Sequence, residues 1–376
     1  MKASLSLILG LSVITQAQAI PLPKQAIKSY NCKTCLTFSH TSLSKSWPIR
    51  NHPLSEDFNN QQKSFSYRQT VTLDALQKGV PLSIMGIGAV IRVSPLTPQK
   101  DLPEFIIKSK QDTLTLKDAS DAAVGGAFKL KDSLGSGAFI LSTTAKNTNA
   151  KQIKYMVSVL DNNSAFYLAV QTDKSHYQYG DVITTTINFP EDDFDEPVTD
   201  VSGFLLKPNS DKVPLTFTKV TDGEYTARMT LNDETNWDGE NGYIHAEITG
   251  FIDDNGVKRQ AQTAFSYSLP SATVTSVDKL GIEPLMFNAS VDVATNSRYA
   301  LTAVLYHKDS KGKLLPIEIT QTSQWLNKGD HKIALNFETA VDNPEDYALG
   351  YIQLVDYGQM KPVFRYNQPI VLSQLK

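Results

Sequence analysis

From residue 64 onward the chain is written in short runs in which apolar and polar side chains alternate, the period of a strand with one buried face. Residues 64–71 open the pattern with Phe65, Tyr67 and Val71 on one side. Residues 73–79 then read as a single helical turn closed by Gly79. Residues 82–93 carry Ile84, Ile87, Val90, Ile91 and Val93 and predict a strand interrupted at Gly86 and Gly88, by a bulge or a close backbone approach. Shorter runs around Ile106, Leu114, Phe128, Ile140 and Val157 are separated by turns at Asp118, Gly125-Gly126, Gly135 and Asn147. Even spacing without long helical windows predicts a β-sandwich-like N-terminal domain over residues 61–164.

The same grammar continues over residues 165–270, with strands expected near 166–172, 182–189, 201–206, 213–218, 224–231, 243–250 and 258–268. That strand count and turn spacing fit an immunoglobulin-like β-sandwich, although the cysteine pair and central tryptophan of antibody domains are missing. After Leu269-Pro270-Ser271 a third β-sandwich is expected over 271–376, with strands at 285–293, 299–307, 314–319, 331–337, 347–355 and 363–372. Its Lys308-Asp309-Ser310-Lys311-Gly312-Lys313 turn is a hairpin signal. The fold class is therefore all-β, three consecutive β-sandwich-like domains with the central one immunoglobulin-like.

Before residue 61 the periodicity is absent. Lys2, the apolar run 5–14 and Ala17-Gln18-Ala19 have the order of a secretory signal peptide over residues 1–19. Residues 20–60, with Pro21, Pro23, Pro48 and Pro53, read as an extended N-terminal arm. Export, to the periplasm or the exterior, is the expectation, without membrane insertion once the signal peptide is removed. A formal net charge of -3 with no basic cluster argues against nucleic acid as a partner.

The Cys32-x-x-Cys35 arm, residues 71–82 (Val-Thr-Leu-Asp-Ala-Leu-Gln-Lys-Gly-Val-Pro-Leu) leading into Gly88-Ala89-Val90-Ile91-Arg92-Val93-Ser94-Pro95, and the two β-domains that follow resemble the secreted bacterial proteins of domain-of-unknown-function (DUF) family 4785. The resemblance spans nearly the whole chain after the signal peptide. It implies an exported, three-domain, β-rich bacterial protein and carries over no catalytic residue.

Candidate chemistry is sparse. Cys32 and Cys35 are the only cysteines, and in an oxidising compartment they are expected to pair as a disulfide; redox chemistry or half of a metal site are the alternatives at this spacing. Asp192, Asp193 and Asp195, with Asp253 and Asp254, fall in two loops that an immunoglobulin-like topology brings to one pole. Such a pole has oxygens for a hard cation such as calcium, but matches no calcium-loop pattern, and a solvated acidic surface is the plainer reading. Trp237, in a polar loop, is either a stacking platform for a ligand such as a sugar ring or a plug over the core. His245 lies on a strand, as ligand or as core. Motifs for a nucleophile elbow, a zinc protease or a phosphate loop are absent. The expected function is an exported, non-enzymatic binding or interaction protein without cofactor, recognising a protein or carbohydrate. The competing readings are a secreted hydrolase with His40, His52 and Asp57 in a cleft of its first domain, and a passive envelope-structural protein.

Overall fold

Lys154–Leu160 shows how alternation becomes a sheet. Tyr155, Val157 and Val159 are buried, the residues between them are not, and the strand lies between Ser66–Thr72 and Val90–Pro95, antiparallel to both. The computed structural model describes residues 19–49, 59–98, 102–110, 112–124, 126–146, 151–190, 198, 200–252 and 255–375. Strands make up 58% and helix 4%, so the chain is all-β, three β-rich domains in succession. Residues 57–232 and 240–267 form one compact unit, and residues 1–56, 233–239 and 268–376 another.

In the first unit, the N-terminal domain has a five-stranded sheet in the order Ser66–Thr72, Lys154–Leu160, Val90–Pro95, Ala127–Leu130, Ser120–Val124. Its four-stranded sheet runs Val80–Ile84, Gly137–Ser142, Ile106–Lys108, Thr113–Thr115. The predicted helical turn is Leu73–Lys78, capped by Thr72 Oγ1 accepting from Ala75 N at 3.1 Å and ended by Gly79 at φ 95°. The interruption expected at Gly86 and Gly88 is the crossing from one sheet to the other, since Val80–Ile84 and Val90–Pro95 belong to different sheets. A Cβ on Gly86 would meet Asn163 C and Ser164 N at 2.6 Å, so the backbone approach there needs glycine.

The central domain stacks Thr218–Thr221, Glu224–Thr230, Val182–Asn188, Leu168–Thr172 and Gln62–Ser64 in one sheet. The other holds His176–Gln178, Asn255–Ser268, Asn241–Ile252, Asp200–Leu206 and Lys212–Leu215. Two expectations change here. The strand expected over 213–218 is two strands, Lys212–Leu215 and Thr218–Thr221, on opposite sheets. The run at 64–71 breaks at Phe65, and its first part, Gln62–Ser64, pairs with Leu168–Thr172 of the central domain. Where the two domains of this unit meet, Arg259 and Asp161 are both 0% exposed and bonded at 2.8 Å. Asp161 also accepts from Met85 N and Gly86 N, and Arg259 donates to Phe166 O, Lys258 O and Ser164 Oγ. Every nitrogen of the buried guanidinium and both oxygens of the buried carboxylate are thus hydrogen-bonded.

In the second unit, a four-stranded sheet (Ile20–Pro21, Ala272–Ile282, Leu285–Val293, Gly329–Phe337) faces one built of Leu43–Pro48, Leu314–Leu326, Ser297–Lys308, Tyr347–Asp356 and Lys361–Tyr366. Phe287, Leu301, Leu305, Ile333, Leu335 and Leu354 fill the space between them. The arm therefore supplies a strand to each sheet of this domain, which its lack of periodicity did not suggest. Ala272–Ile282, where no strand was expected, is a full partner of Leu285–Val293.

Candidate ligand-binding groove

On Asn241–Ile252 the alternation sends Ile244, Ala246 and Ile248 into the core and leaves Tyr243, His245 and Glu247 on the outer face. Register then builds two outward rows across the sheet. Phe204 lies opposite His245 and His245 opposite Gln262; Ser202 lies opposite Glu247 and Glu247 opposite Gln260. With Gln62–Ser64, Ser66–Thr72 and Ser158 to Leu160 of the same unit, this face encloses a groove of about 850 Å³, within the range of small-molecule sites.

Gln260 ties the two sides together. Its carboxamide accepts from Arg68 N and donates to Arg68 O, both at 3.0 Å, as a neighbouring strand would on this edge strand, and donates to Glu247 at 2.5 Å. Glu247 is further paired with Lys258 at 2.6 Å, which neutralises it. The groove's cations are not neutralised in this way. Arg68 has no ion pair among the described residues, Lys212 Nζ lies 4.5 Å over the Phe204 ring, and Lys63 Nζ lies 3.5 Å over Tyr167. His245 stacks on Phe204 at 4.7 Å, and its Nε2 is buried without a hydrogen-bond partner. Burial, then Arg68 and Lys212, hold its pKa below the ordinary 6.5, so at neutral pH it is an uncharged imidazole between two cations. Close packing underneath requires Gly203, whose Cβ would run into His245 O and the Phe217 ring. The groove is therefore a positive, partly aromatic surface with one unsatisfied ring nitrogen, suited to an anion with a flat or apolar portion.

Of the residues singled out by sequence, His245 lies in the groove, and Trp237, His40, Cys32 and Cys35 do not line it. Asp192, Asp193, Asp195, Asp253 and Asp254 fall outside the described residues, as do His52 and Asp57. Among the described residues no cluster of three or more His, Cys, Asp or Glu is placed to hold a metal. Trp237 is 6% exposed and its Nε1 donates to Asp233 Oδ2 at 3.3 Å, so its ring faces are not open to solvent. His40 stacks on Trp325 of the third domain at 4.3 Å and so does not contribute to a cleft in the first. Cys32 and Cys35 sit at bonding distance, S–S 1.94 Å. The disulfide packs on the turn at Gly358, where a Cβ would meet the sulfurs at 2.6 and 2.7 Å.

Beside it, Asp356 is 0% exposed and accepts from Tyr30 Oη (2.8 Å), Ser271 Oγ (2.5 Å), Ser297 Oγ (2.5 Å), Gly358 N (2.8 Å) and Gln359 Nε2 (3.2 Å). Burial, then Asp356, pushes the Tyr30 phenol far above its usual range, so the phenol stays a donor. This centre latches the arm to the third domain. Sequence reasoning weighed His245 but missed Arg68, Lys212 and Phe204. The outward period of Asn241–Ile252 was the available signal, and nothing local marks Arg68 as its neighbour.

Three family models match the chain: the domain of unknown function (DUF4785) N-terminal domain over residues 34–161, its central domain over 164–268 and its C-terminal domain over 271–373. The crystal structure of a DUF4785 family protein from Legionella pneumophila is similar, at 38% identity over 94% of this chain and 100% of that one, with a TM-score of 0.84. A tetra-tandem repeat from the extending region of a large adhesion protein aligns at 15% identity over 88% of this chain and 81% of that one, but with a TM-score of 0.24. Comparison with curated proteins gives no match.

Proposed function

Because the chain belongs to the DUF4785 family, whose three domains it carries in order, we propose that it is an exported, non-enzymatic binding protein whose groove takes a carboxylate-bearing ligand. The observation that carries this reading is the pair of cations, Arg68 and Lys212, beside the buried, unpartnered His245 Nε2. A carboxylate seated there meets two positive charges, while Phe204 offers a face to the rest of the ligand. His245 makes no hydrogen bond to a hydroxyl or carboxylate among the described residues, so in this reading it acts in binding rather than as the base of a nucleophile pair. The families matched are domains of unknown function and none is an enzyme family. Export is supported by the Lys2, apolar run and Ala17-Gln18-Ala19 order and by the paired Cys32 and Cys35.

The test is calorimetric titration of the chain from Ile20 with trigalacturonate, an acidic sugar, and with triglutamate, an acidic peptide. Binding of either one, lost in the Arg68→Ala/Lys212→Ala double variant and weakened by added salt, is expected. Which of the two binds identifies the source of the carboxylate. Failure of both to bind, or equal binding by the double variant, overturns the reading.

A further inference from the structure

The turn that carries the two cysteines stands at the surface with one of them inside. Lys33, Thr34, Leu36 and Thr37 are exposed and Cys32 is partly exposed, whereas Cys35 is 1% exposed. An incoming thiol therefore reaches the bond from the Cys32 side. The bond is also not what holds the arm in place. Before it, Lys28 N donates to Pro270 O (2.8 Å), Tyr30 N to Thr295 Oγ1 (3.0 Å) and Tyr30 Oη to Asp356. Beyond it, Arg298 Nη1 donates to Ser39 O (2.5 Å) and Thr41 O (2.8 Å), and Leu43–Pro48 enters its ladder. With the chain pinned on both sides, a cross-link of sequence separation 3 constrains little more, so the fold tolerates its opening.

The buried end accommodates both oxidation states. Cys35 Sγ lies 3.2 Å from Ser297 Oγ, and Ser297 is 0% exposed. A serine hydroxyl has one hydrogen and two lone pairs. The hydrogen of Ser297 goes to Asp356 Oδ1 (2.5 Å) and one lone pair takes Gly358 N (3.3 Å), which leaves the other for Cys35. A disulfide sulfur has no hydrogen to place there. A Cys35 thiol has one, so on reduction the buried S–H meets an acceptor at hydrogen-bond distance instead of being stranded.

We propose that Cys32–Cys35 is an exchangeable disulfide, at which Cys32 forms a mixed disulfide with a low-molecular-weight thiol and Cys35 is the buried resolving thiol. A thiolate RS⁻ attacks Cys32 Sγ, a new S–S bond forms, and the electron pair of the broken bond passes to Cys35 Sγ. That sulfur takes up the proton released by RSH and donates its S–H to Ser297 Oγ. In the reverse direction Cys35 attacks Cys32 Sγ, expels RS⁻ and restores the bond. If a second RSH attacks the R sulfur instead, RSSR leaves and the pair has gained two electrons and two protons. The groove lies on the other compact unit, and neither reading depends on the other.

The test equilibrates the chain from Ile20, without denaturant, over a range of reduced-to-oxidised glutathione ratios, quenches with N-ethylmaleimide and maps both cysteines by mass spectrometry. The pair is expected to open within that range while the thermal transition stays cooperative. In Cys35→Ser, oxidised glutathione is expected to add to Cys32. In Cys32→Ser, Cys35 is expected to react about tenfold more slowly or less, and to catch up once urea unfolds the chain. If the parent's bond stays closed at every ratio until urea is added, the disulfide is structural only and the proposal fails. Equal rates at the two sulfurs in the folded variants would overturn the roles assigned to them.

Discussion

Arg259 Nη2 donates to Asp161 Oδ2 at 2.8 Å with both side chains wholly buried, joining a residue at the end of the N-terminal domain to one in the last long strand of the central domain. Burial disfavours both charges, holding the Asp161 carboxyl up and the Arg259 guanidinium down against their mutual attraction. The pair is therefore a device for orientation more than for net stability.

Removing one member should cost more than removing both. Arg259→Ala is expected to destabilise this unit by about 3 to 5 kcal/mol, because it strands a buried carboxylate, while Asp161→Leu with Arg259→Leu recovers part of that loss. Urea denaturation of the three proteins measures it. Equal midpoints for Arg259→Ala and the parent would contradict the account.

His245 makes stability depend on pH with a definite sign. Its folded pKa lies below the ordinary 6.5, so the folded chain binds fewer protons than the unfolded one on acidification. The contribution is whole above 6.5 and is lost as pH falls from there through the depressed folded value. His245→Gln should flatten the urea midpoint between about pH 7.5 and pH 5 relative to the parent. A bound carboxylate acts in the opposite direction by favouring the imidazolium, so ligand affinity should rise over the same interval and lose that rise in the variant.

Tyr30→Phe removes one of the five donors to the buried Asp356 carboxylate. A loss of about 1 to 3 kcal/mol is expected, together with faster proteolysis within the arm between residues 24 and 45. Unchanged cleavage would mean that the Tyr30 hydroxyl does not hold the arm.

Reduction of Cys32–Cys35 opens a loop with a sequence separation of only 3 residues, so chain entropy accounts for about 2 kcal/mol. The melting temperature in reductant should fall modestly, and Gly358→Ala should fall further, since its Cβ pushes on both sulfurs and on Tyr30 Oη even when the bond is intact. A larger effect from reduction than from Gly358→Ala would reverse this ranking.

Local pattern was enough to find most of the strands, the single helical turn at Leu73–Lys78 and the succession of three β-rich domains, because side-chain alternation and capping act over a few residues. The expected pairing of Cys32 with Cys35, the only two cysteines, is matched by their bonding distance. Partnership across the chain was another matter. Leu43–Pro48 has six residues with no clear period, yet it completes a sheet edge some 275 residues away, and that edge is defined only once Leu314–Leu326 has folded onto Ser297–Lys308. Arg68 and His245, or Tyr30 and Asp356, are single polar residues whose meaning lies in a neighbour that packing supplies. Periodicity tells which face of a strand is buried. Which polar groups then meet across the remaining face is decided by domain packing, where burial makes an unpaired charge costly and a paired one specific.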